Sequence, residues 1–427
     1  MFTVTNHTFA IWLITSLSIL SANLSAAKPC LQSQENKINT VRIHKTGSEL
    51  SEPIVGLGGN ESITLTFDDL SDSPLNYSYT LIHCASDWSE SKINKSDYLD
   101  GFETNPINEY QSSYSTTVPY THYKLQIPNN DIKIKLSGNY LIRVLDTYNP
   151  ERIIFEKKFM VVENLLTLYA KLRQAIAPER KETSQQIELS VATSPLSISN
   201  PHTDLIVIAI QNEEPQGYFY GIKPVFIRSN EIVYSSPDNL IFNGINEFRS
   251  FNTNSIRFIS SGIKSIDQTD GGYSVLLLPS ENNRKQVYST QPDINGKYKI
   301  NLENSDQGDI EADYIWVYFT LPYFDQLTDK EVYVYGELTD WKTSPLTQMQ
   351  YSYQRSAYEL RMQLKQGYYN YRYVVKDTKS GEIDPIFFEG NHSETENSYL
   401  ILVYYKEVGS RYERLVGIRK LNSRISN

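Results

Sequence analysis

The chain has 427 residues, of which 40% are hydrophobic and 12% aromatic, and this composition excludes a largely disordered protein. Its 40 basic and 50 acidic residues give a net charge of −10 at neutral pH, which argues against a nucleic-acid partner, because binding to phosphates depends on dense Lys and Arg. Tyrosine is frequent, with 32 residues against 4 tryptophans, as is typical of strands and of protein interfaces.

The first 27 residues have the form of a secretory signal peptide. An apolar run over residues 11–22 precedes small residues that end at Ala27, and the run is too short to span a bilayer. We therefore expect cleavage after Ala27 and export, and the absence of a later apolar stretch predicts no direct insertion into the membrane. Export would permit a disulfide between Cys30 and Cys84, and a free, buried Cys84 is the alternative.

Short alternating runs between Ile43 and Val162 predict strands. Ile63, Leu65 and Phe67 share one face of such a run, and the segment from Tyr77 to Cys84 has the same two-residue period. Strands separated by turn residues at this frequency predict an antiparallel, immunoglobulin-like sandwich, which we assign to residues 28–165.

Two further sandwiches are predicted downstream. Leu165 to Gln174 fits either a helix or the first strand of the next unit, which extends over residues 166–309 and contains the hairpin signal of residues 293–296. An acidic linker near residue 310 precedes a third unit over residues 310–427. The expected fold class is therefore all-β, with three tandem immunoglobulin-like β-sandwich domains after the signal peptide. The apolar runs assigned to the third sandwich are residues 314–321, 331–336, 358–364, 368–375 and 399–405.

An ordered set of motifs spans nearly the whole mature chain and resembles the plug protein family of the type IX secretion system, formerly a domain of unknown function. The residues singled out in these motifs are His83, Cys84, Asp87, Trp88, Tyr98, Tyr120, His122, Tyr123, Asn246, Glu247 and Arg249. The resemblance also rests on segments 137–140, 211–212, 293–296, 366–371 and 390–399.

The resemblance implies a non-enzymatic, periplasmic protein that needs no cofactor. Such a protein docks at the periplasmic opening of a large outer-membrane β-barrel translocon, at the inner face of the outer membrane, and keeps the channel closed. The motif residues would then have structural or partner-binding roles.

The third unit also resembles the glycogen-binding, E-set type of immunoglobulin-like module through residues 334–341 and 364–375. This resemblance marks Trp341 and Arg372 as a possible remnant of a sugar site, and a carbohydrate-binding accessory protein is the alternative function. The second stacking ring of such sites is missing, because residues 376–384 contain no aromatic residue. We interpret the likeness as a shared fold without the ligand.

The residues that could suggest catalysis or metal binding have structural explanations. Adjacent His83 and Cys84 point to opposite faces of a strand, which disfavours a shared metal ion, and a hydrolase centred on Cys84, His83 and His122 would require the fold to bring them together. The acid pairs Asp68-Asp69 and Glu213-Glu214 are interpreted as solvated turns, because catalytic acid pairs come from separate elements. Asp87 and Asp340 are interpreted as turn acids that each precede a packed tryptophan, and Glu247 or Arg249 as a partner for a charged residue on a neighbouring strand.

Overall fold

A computed structural model describes residues 37–423 except 195, 215, 216, 270 and 285. The predicted signal peptide and Cys30 lie outside the described residues. The first eleven strands and one helical turn build a first sandwich. Its elements are β1 (Ile38–Lys45), β2 (Ile54–Gly56), β3 (Ile63–Asp69), β4 (Tyr77–Cys84), α1 (Lys95–Tyr98), β5 (Leu99–Gly101), β6 (Asn105–Pro106), β7 (Glu109–Ser112), β8 (Thr121–Ile127), β9 (Ile132–Ile134), β10 (Gly138–Asp146) and β11 (Ile153–Val162).

The first sandwich has two facing sheets with the orders β1-β3-β8-β7 and β2-β11-β10-β4-β6, and β5 pairs with β9 beside them. The alternation seen in the sequence directs Ile63, Leu65 and Phe67 from one sheet against Tyr79 and Leu81 from the other, and all five are buried. Burial of such side chains stabilises the fold by about 1.5–3 kcal/mol each.

The rest of the chain is also built from strands, with single helical turns at two points and short 3-10 turns at Pro178–Arg180 and Glu337–Thr339. Its elements are β12 (Thr167–Gln174), β13 (Ser184–Ala192), α2 (Pro201–Asp204), β14 (Leu205–Gln211), β15 (Tyr218–Tyr220), β16 (Phe226–Ile227), β17 (Glu231–Val233), β18 (Ile241–Asn243), β19 (Arg249–Asn252), β20 (Ile263–Thr269), β21 (Gly272–Leu277), β22 (Tyr298–Ile300), α3 (Gly308–Glu311), β23 (Tyr314–Pro322), β24 (Lys330–Tyr335), β25 (Gln350–Ser352), β26 (Ala357–Lys365), β27 (Gly367–Asp377), β28 (Ile383–Asp384), β29 (Ser398–Tyr405) and β30 (Arg414–Asn422).

The predicted all-β fold class is confirmed. In the described part of the chain no helix is long and apolar enough to cross a membrane. The segment from Leu165 to Gln174, for which a helix was one of two options, forms strand β12 and pairs with β13 along its whole length. Its exposed and buried residues alternate at the start, with Thr167 and Tyr169 exposed and Leu168 buried between them, as a strand requires.

A second sandwich combines β12–β18 with the two C-terminal strands. One of its sheets has the order β12-β13-β17-β16, with β18 also on β13, and the other has the order β15-β14-β29-β30. An inserted sandwich is built from β19–β28. Its sheets have the orders β19-β27-β22, with β24 and β28 also on β27, and β20-β21-β23-β26-β25.

This strand pairing differs from the predicted order of units. The strands between residues 249 and 300, placed by the sequence in the second unit, pair with those between 314 and 384, and β29, placed in the third unit, pairs with β14. Strands on both sides of the boundary predicted at residues 309 and 310 therefore belong to the same sheets. The chain enters and leaves the inserted sandwich at adjacent points, where Ile245 bridges Asn391 and the His392 amide donates to Gly244 O at 2.7 Å.

Candidate functional site

His83 is enclosed in the core of the first sandwich. Its Nδ1 lies 2.8 Å from Ser91 Oγ, its Nε2 lies 3.1 Å from the carbonyl oxygen of Ser137, and its ring meets Tyr140 edge to face at 5.1 Å. The ring fits because position 138 is glycine, where a Cβ would lie 2.6 Å from Nε2. Burial lowers the pKa of His83, so the neutral ring serves as a packed, hydrogen-bonded core residue.

Cys84 and Asp87 lie near the end of β4 and have separate surroundings. Cys84 is 1% exposed, burial raises the pKa of its thiol to about 11, and it forms no disulfide among the described residues. The bridge to Cys30 stays a prediction. Asp87 is exposed and accepts hydrogen bonds from the Ser89 amide at 2.9 Å and the Ser89 hydroxyl at 2.6 Å, which confirms it as a turn acid.

Trp88 packs where the first and second sandwiches meet. Lys158 Nζ lies 4.6 Å from the centre of its ring, a cation–π contact. The apolar cluster beneath the ring is formed by Ile54, Met160 and Val162 from the first sandwich and by Ile208, Leu400, Leu402, Tyr404 and Leu415 from the second. The motif tryptophan is therefore part of the contact that joins two sandwiches.

Tyr98 and Tyr123 are core tyrosines with satisfied hydroxyl groups. The Tyr98 hydroxyl donates to Leu81 O at 3.3 Å, and the Tyr123 hydroxyl donates to Leu75 O at 2.7 Å while its ring stacks on Phe67. Both rings are buried, so neither offers a partner a contact surface. Much of the tyrosine content that suggested an interface serves the core in this way.

His122 belongs to a buried polar network between the first and inserted sandwiches. Its Nδ1 lies 2.6 Å from Asp68 Oδ1, and the other oxygen of that carboxylate accepts from the Tyr314 hydroxyl at 2.7 Å and from Lys365 Nζ at 2.7 Å. The Asp68 and Lys365 side chains are each 1% exposed. Burial lowers the pKa of Lys365, and Asp68 offsets part of that shift. We name Asp68, His122, Tyr314 and Lys365 the junction network.

Tyr120 extends the same junction. Its hydroxyl donates to Ala312 O at 2.9 Å, and Lys365 Nζ lies 4.2 Å from the centre of its ring. Nearby, Asp313 receives a loop of the first sandwich by accepting from the Thr117 hydroxyl at 2.9 Å and from the amides of Thr117 and Val118. A buried carboxylate with this many donors fixes the loop in one position.

The motif at Asn246, Glu247 and Arg249 fixes the entry into the inserted sandwich. Arg249 Nε lies 3.0 Å from both carboxylate oxygens of the fully buried Glu389, so a charged partner is present, although it lies in a turn and not on a neighbouring strand. Glu247 accepts from the Tyr288 hydroxyl at 2.6 Å, and Asn246 Nδ2 donates to Glu389 O at 3.2 Å.

Trp341 and Arg372 are poorly placed for binding a sugar. Arg372 is fully buried, with its guanidinium carbon 3.6 Å above the ring of Phe248 and Nη1 3.2 Å from the Glu214 carboxylate. Trp341 is half-buried and packs edge to face against Phe248 and Tyr335. The assignment of Arg372 to a remnant of a sugar site is therefore corrected, because its buried side chain has no surface from which to reach a ligand.

The interpretation of the acid pairs as solvated turns is wrong for Asp68, Asp69 and Glu214, whereas Glu213 does lie in a turn and is partly exposed. Asp68 and Asp69 lie inside β3 and are 0% and 1% exposed, and Asp69 accepts from the Tyr77 hydroxyl at 2.8 Å. Glu214 is buried against Arg372, and burial raises its pKa. The sequence did contain a signal that Asp68 belongs to a strand. The alternation of β3 continues through position 68 and places the Asp68 side chain on the face opposite Phe67.

The structure does not bring the suggested hydrolase residues together. Cys84 and His122 lie on different sheets of the first sandwich, and His83 has its own hydrogen-bond partners. In the ranges that the structure describes, no group of three or more His, Cys, Asp or Glu side chains could hold a metal ion.

An open groove of about 640 Å³ lies on the outer face of the sheet that contains β12, β13 and β17. Its lining is mixed in polarity and includes Tyr169, Lys171, Glu188, Glu231, Val233 and Arg419. A shallow, charged groove of this kind suits a protein surface better than a small apolar ligand.

Comparison with known proteins places these features in a family. Residues 38–163, which cover β1–β11, match the model of the type 9 secretion system plug protein 1st domain. The chain is 33% identical in sequence to a hypothetical protein from Parabacteroides merdae whose crystal structure is known. The match covers 91% of this chain and 97% of that chain, and the two structures superpose with a TM-score of 0.88. No curated protein shows significant similarity to the chain. The match of β1–β11 to this first domain shows that the chain belongs to the type 9 secretion system plug protein family, with a role in type IX secretion.

Proposed function

We propose that this chain is a non-enzymatic periplasmic plug that docks on the periplasmic opening of a large outer-membrane β-barrel translocon and closes it. The observation that carries the proposal is the match of residues 38–163 to the first domain of plug proteins. The proposed location is the inner face of the outer membrane.

The way the sandwiches are joined supports a plugging role. From Ile38 onward the described residues form one compact unit, and the joints include the apolar cluster under Trp88 and the buried junction network. A protein that closes a wide pore must keep its shape against thermal motion. Buried contacts between sandwiches favour this, whereas small polar interfaces would leave the sandwiches free to move relative to one another.

Co-purification and envelope permeability test the proposal. A tagged chain at native expression level should recover a large outer-membrane barrel protein from detergent extract, and deletion of the gene should let a normally excluded dye enter the periplasm. Complementation with the wild-type chain should restore the barrier. Recovery of no barrel protein, together with unchanged permeability, would refute the docking role.

A further inference from the structure

Two edge strands of the second sandwich expose apolar side chains along one short stretch of chain. β15 ends one sheet and β16 ends the other, and their five residues are between 36% and 64% exposed. We name residues 218–227 the aromatic edge. Elsewhere in this sandwich the two sheets are joined by hydrogen bonds, which the amides of Leu165 and Leu166 donate to Val416 O.

Longer edge strands of the described structure carry charged side chains that β15 and β16 lack. Examples are Lys45 on edge strand β1, Lys171 on β12, Asp267 on β20 and Arg419 on β30. Charge on an edge strand discourages pairing with another chain, and an uncharged apolar edge permits it. The aromatic edge therefore has the composition of a strand-pairing site.

Several rings of the aromatic edge are held in fixed positions. Phe219 packs edge to face on Phe242 at 4.8 Å, Tyr218 stacks on Tyr220 at 6.2 Å, and the Tyr220 hydroxyl lies 2.9 Å from Ser86 Oγ. An incoming strand would meet side chains that are already ordered, so less conformational entropy would be lost on binding.

The aromatic edge continues into the open groove. Phe226 lies opposite Val233, and Val233 lies opposite Ser190, which is paired in turn with Tyr169. Residues opposite one another on neighbouring strands share a face of the sheet, so Phe226 and Tyr169 project on the face that carries the groove. An added strand beside β16 would extend this surface.

Charge distinguishes between a second copy of the chain and a different partner. Residues 217–230 contain Lys223 and Arg228 but no acidic residue, although the whole chain carries a net charge of −10. Arg228 is paired with Glu231 at 3.0 Å, so the charge argument depends mainly on Lys223. Self-pairing would bring two acidic molecules together and place these basic side chains near their own copies. A segment with acidic flanks from another protein avoids the contact between like basic side chains and places its acids beside them instead.

We propose that the aromatic edge is a strand-addition site that takes an extended segment of a partner protein, with apolar side chains in alternation and acidic residues at its flanks. The main chain of the segment would pair with an edge strand, and its apolar side chains would pack beside Tyr218 or Phe226. Identification of the partner with the translocon barrel rests on the proposed function.

The experiment uses the full mature chain and the purified translocon barrel in detergent. Phe226→Asp and Tyr218→Asp should each weaken binding by about tenfold or more, because each places a charge on a pairing edge and opposes acidic flanks. Lys223→Glu should weaken binding most at low salt. Phe324→Asp is the matched control, since Phe324 is 85% exposed and lies outside the aromatic edge, and it should bind as the wild type does.

Hydrogen exchange of the wild type makes the test independent of variant folding, since amides within residues 218–227 should become protected in the complex. Wild-type binding without this protection, or equal binding by all variants, would overturn the site and leave the plugging role intact. Failure of the wild type to bind the barrel would overturn both. Concentration-dependent dimers that Phe226→Asp abolishes would overturn the site in favour of a second copy.

Discussion

Lys365 neutralises the buried carboxylate of Asp68 in the junction network. It donates to Asp68 Oδ2 at 2.7 Å and to Asp309 O at 2.7 Å from a side chain that is 1% exposed. Lys365→Ala removes the cation and leaves the Asp68 carboxylate buried, so we expect the free energy of unfolding to fall by about 3–5 kcal/mol. Urea denaturation followed by tryptophan fluorescence measures this loss.

Arg355→Ala is the matched control for Lys365→Ala. Arg355 pairs with Glu359 at 2.6 Å, but its side chain is 71% exposed, so its removal should cost less than about 1 kcal/mol. Equal losses in the two variants would contradict the importance of burial at this junction.

Asp293 should make stability depend on pH. Burial raises its pKa to about 6, while the same carboxyl in the unfolded chain ionises near its ordinary value of about 4. Between these values the folded protein holds a proton that the unfolded chain has released, so raising the pH lowers the free energy of unfolding. Asp293→Asn removes this loss. The free energy of unfolding of the variant, minus that of the wild type, should therefore rise by about 2 kcal/mol between pH 4 and pH 7. Urea denaturation at both pH values measures the difference, and a constant difference would contradict the assignment.

Cys84 should resist thiol reagents in the folded protein. Its burial and raised pKa leave almost no thiolate at pH 8. A Cys30→Ser variant should therefore react with Ellman's reagent only after denaturation, which absorbance measures directly. The wild type, denatured without reductant, reports on the predicted bridge: two reactive thiols would exclude a Cys30–Cys84 disulfide. Rapid labelling of the folded Cys30→Ser variant would contradict the buried position.

At the scale of elements, the loop between β7 and β8 depends on one carboxylate of the inserted sandwich. Asp313 accepts from the amides of Thr117 and Val118 and from the Thr117 hydroxyl. Asp313→Ala leaves these donors without their partner, so the loop should open more often. Hydrogen exchange of the two amides should become faster by about tenfold or more, because about 1.4 kcal/mol corresponds to one factor of ten. Asp329→Ala, near the far end of the inserted sandwich, should leave the loop unchanged.

Strands could be predicted where the alternation was clear, but their partners could not. The two-residue period correctly identified β3 and β4 as strands, although the structure buries the residues on both of their faces. The pairing of β14 with β29 joins positions almost 200 residues apart, and no local pattern records which apolar strand completes a sheet. Asp68 illustrates the same limit within a site, since its partners Tyr314 and Lys365 lie 246 and 297 positions away.

At the scale of the whole molecule, the inserted sandwich interrupts the second one. Ile245 bridges Asn391 across the entry, so the two crossing points already lie side by side. Insertions of this geometry leave both parts with complete sheets, because β18, directly before the insertion, pairs with β13, and β29, directly after it, pairs with β14.

Replacement of residues 246–390 by a short glycine linker should therefore leave a folded protein, although one with lower stability, since Asp68 loses Tyr314 and Lys365. The excised segment, produced alone, should also fold. In contrast, a fragment of residues 310–427 holds β29 without β14 and β27 without β19 and β22, so it should lack a cooperative unfolding transition. Circular dichroism with urea denaturation compares the three proteins. Cooperative unfolding of the 310–427 fragment would contradict the insertion, because its sheets would then be complete without the strands that this fold supplies from elsewhere.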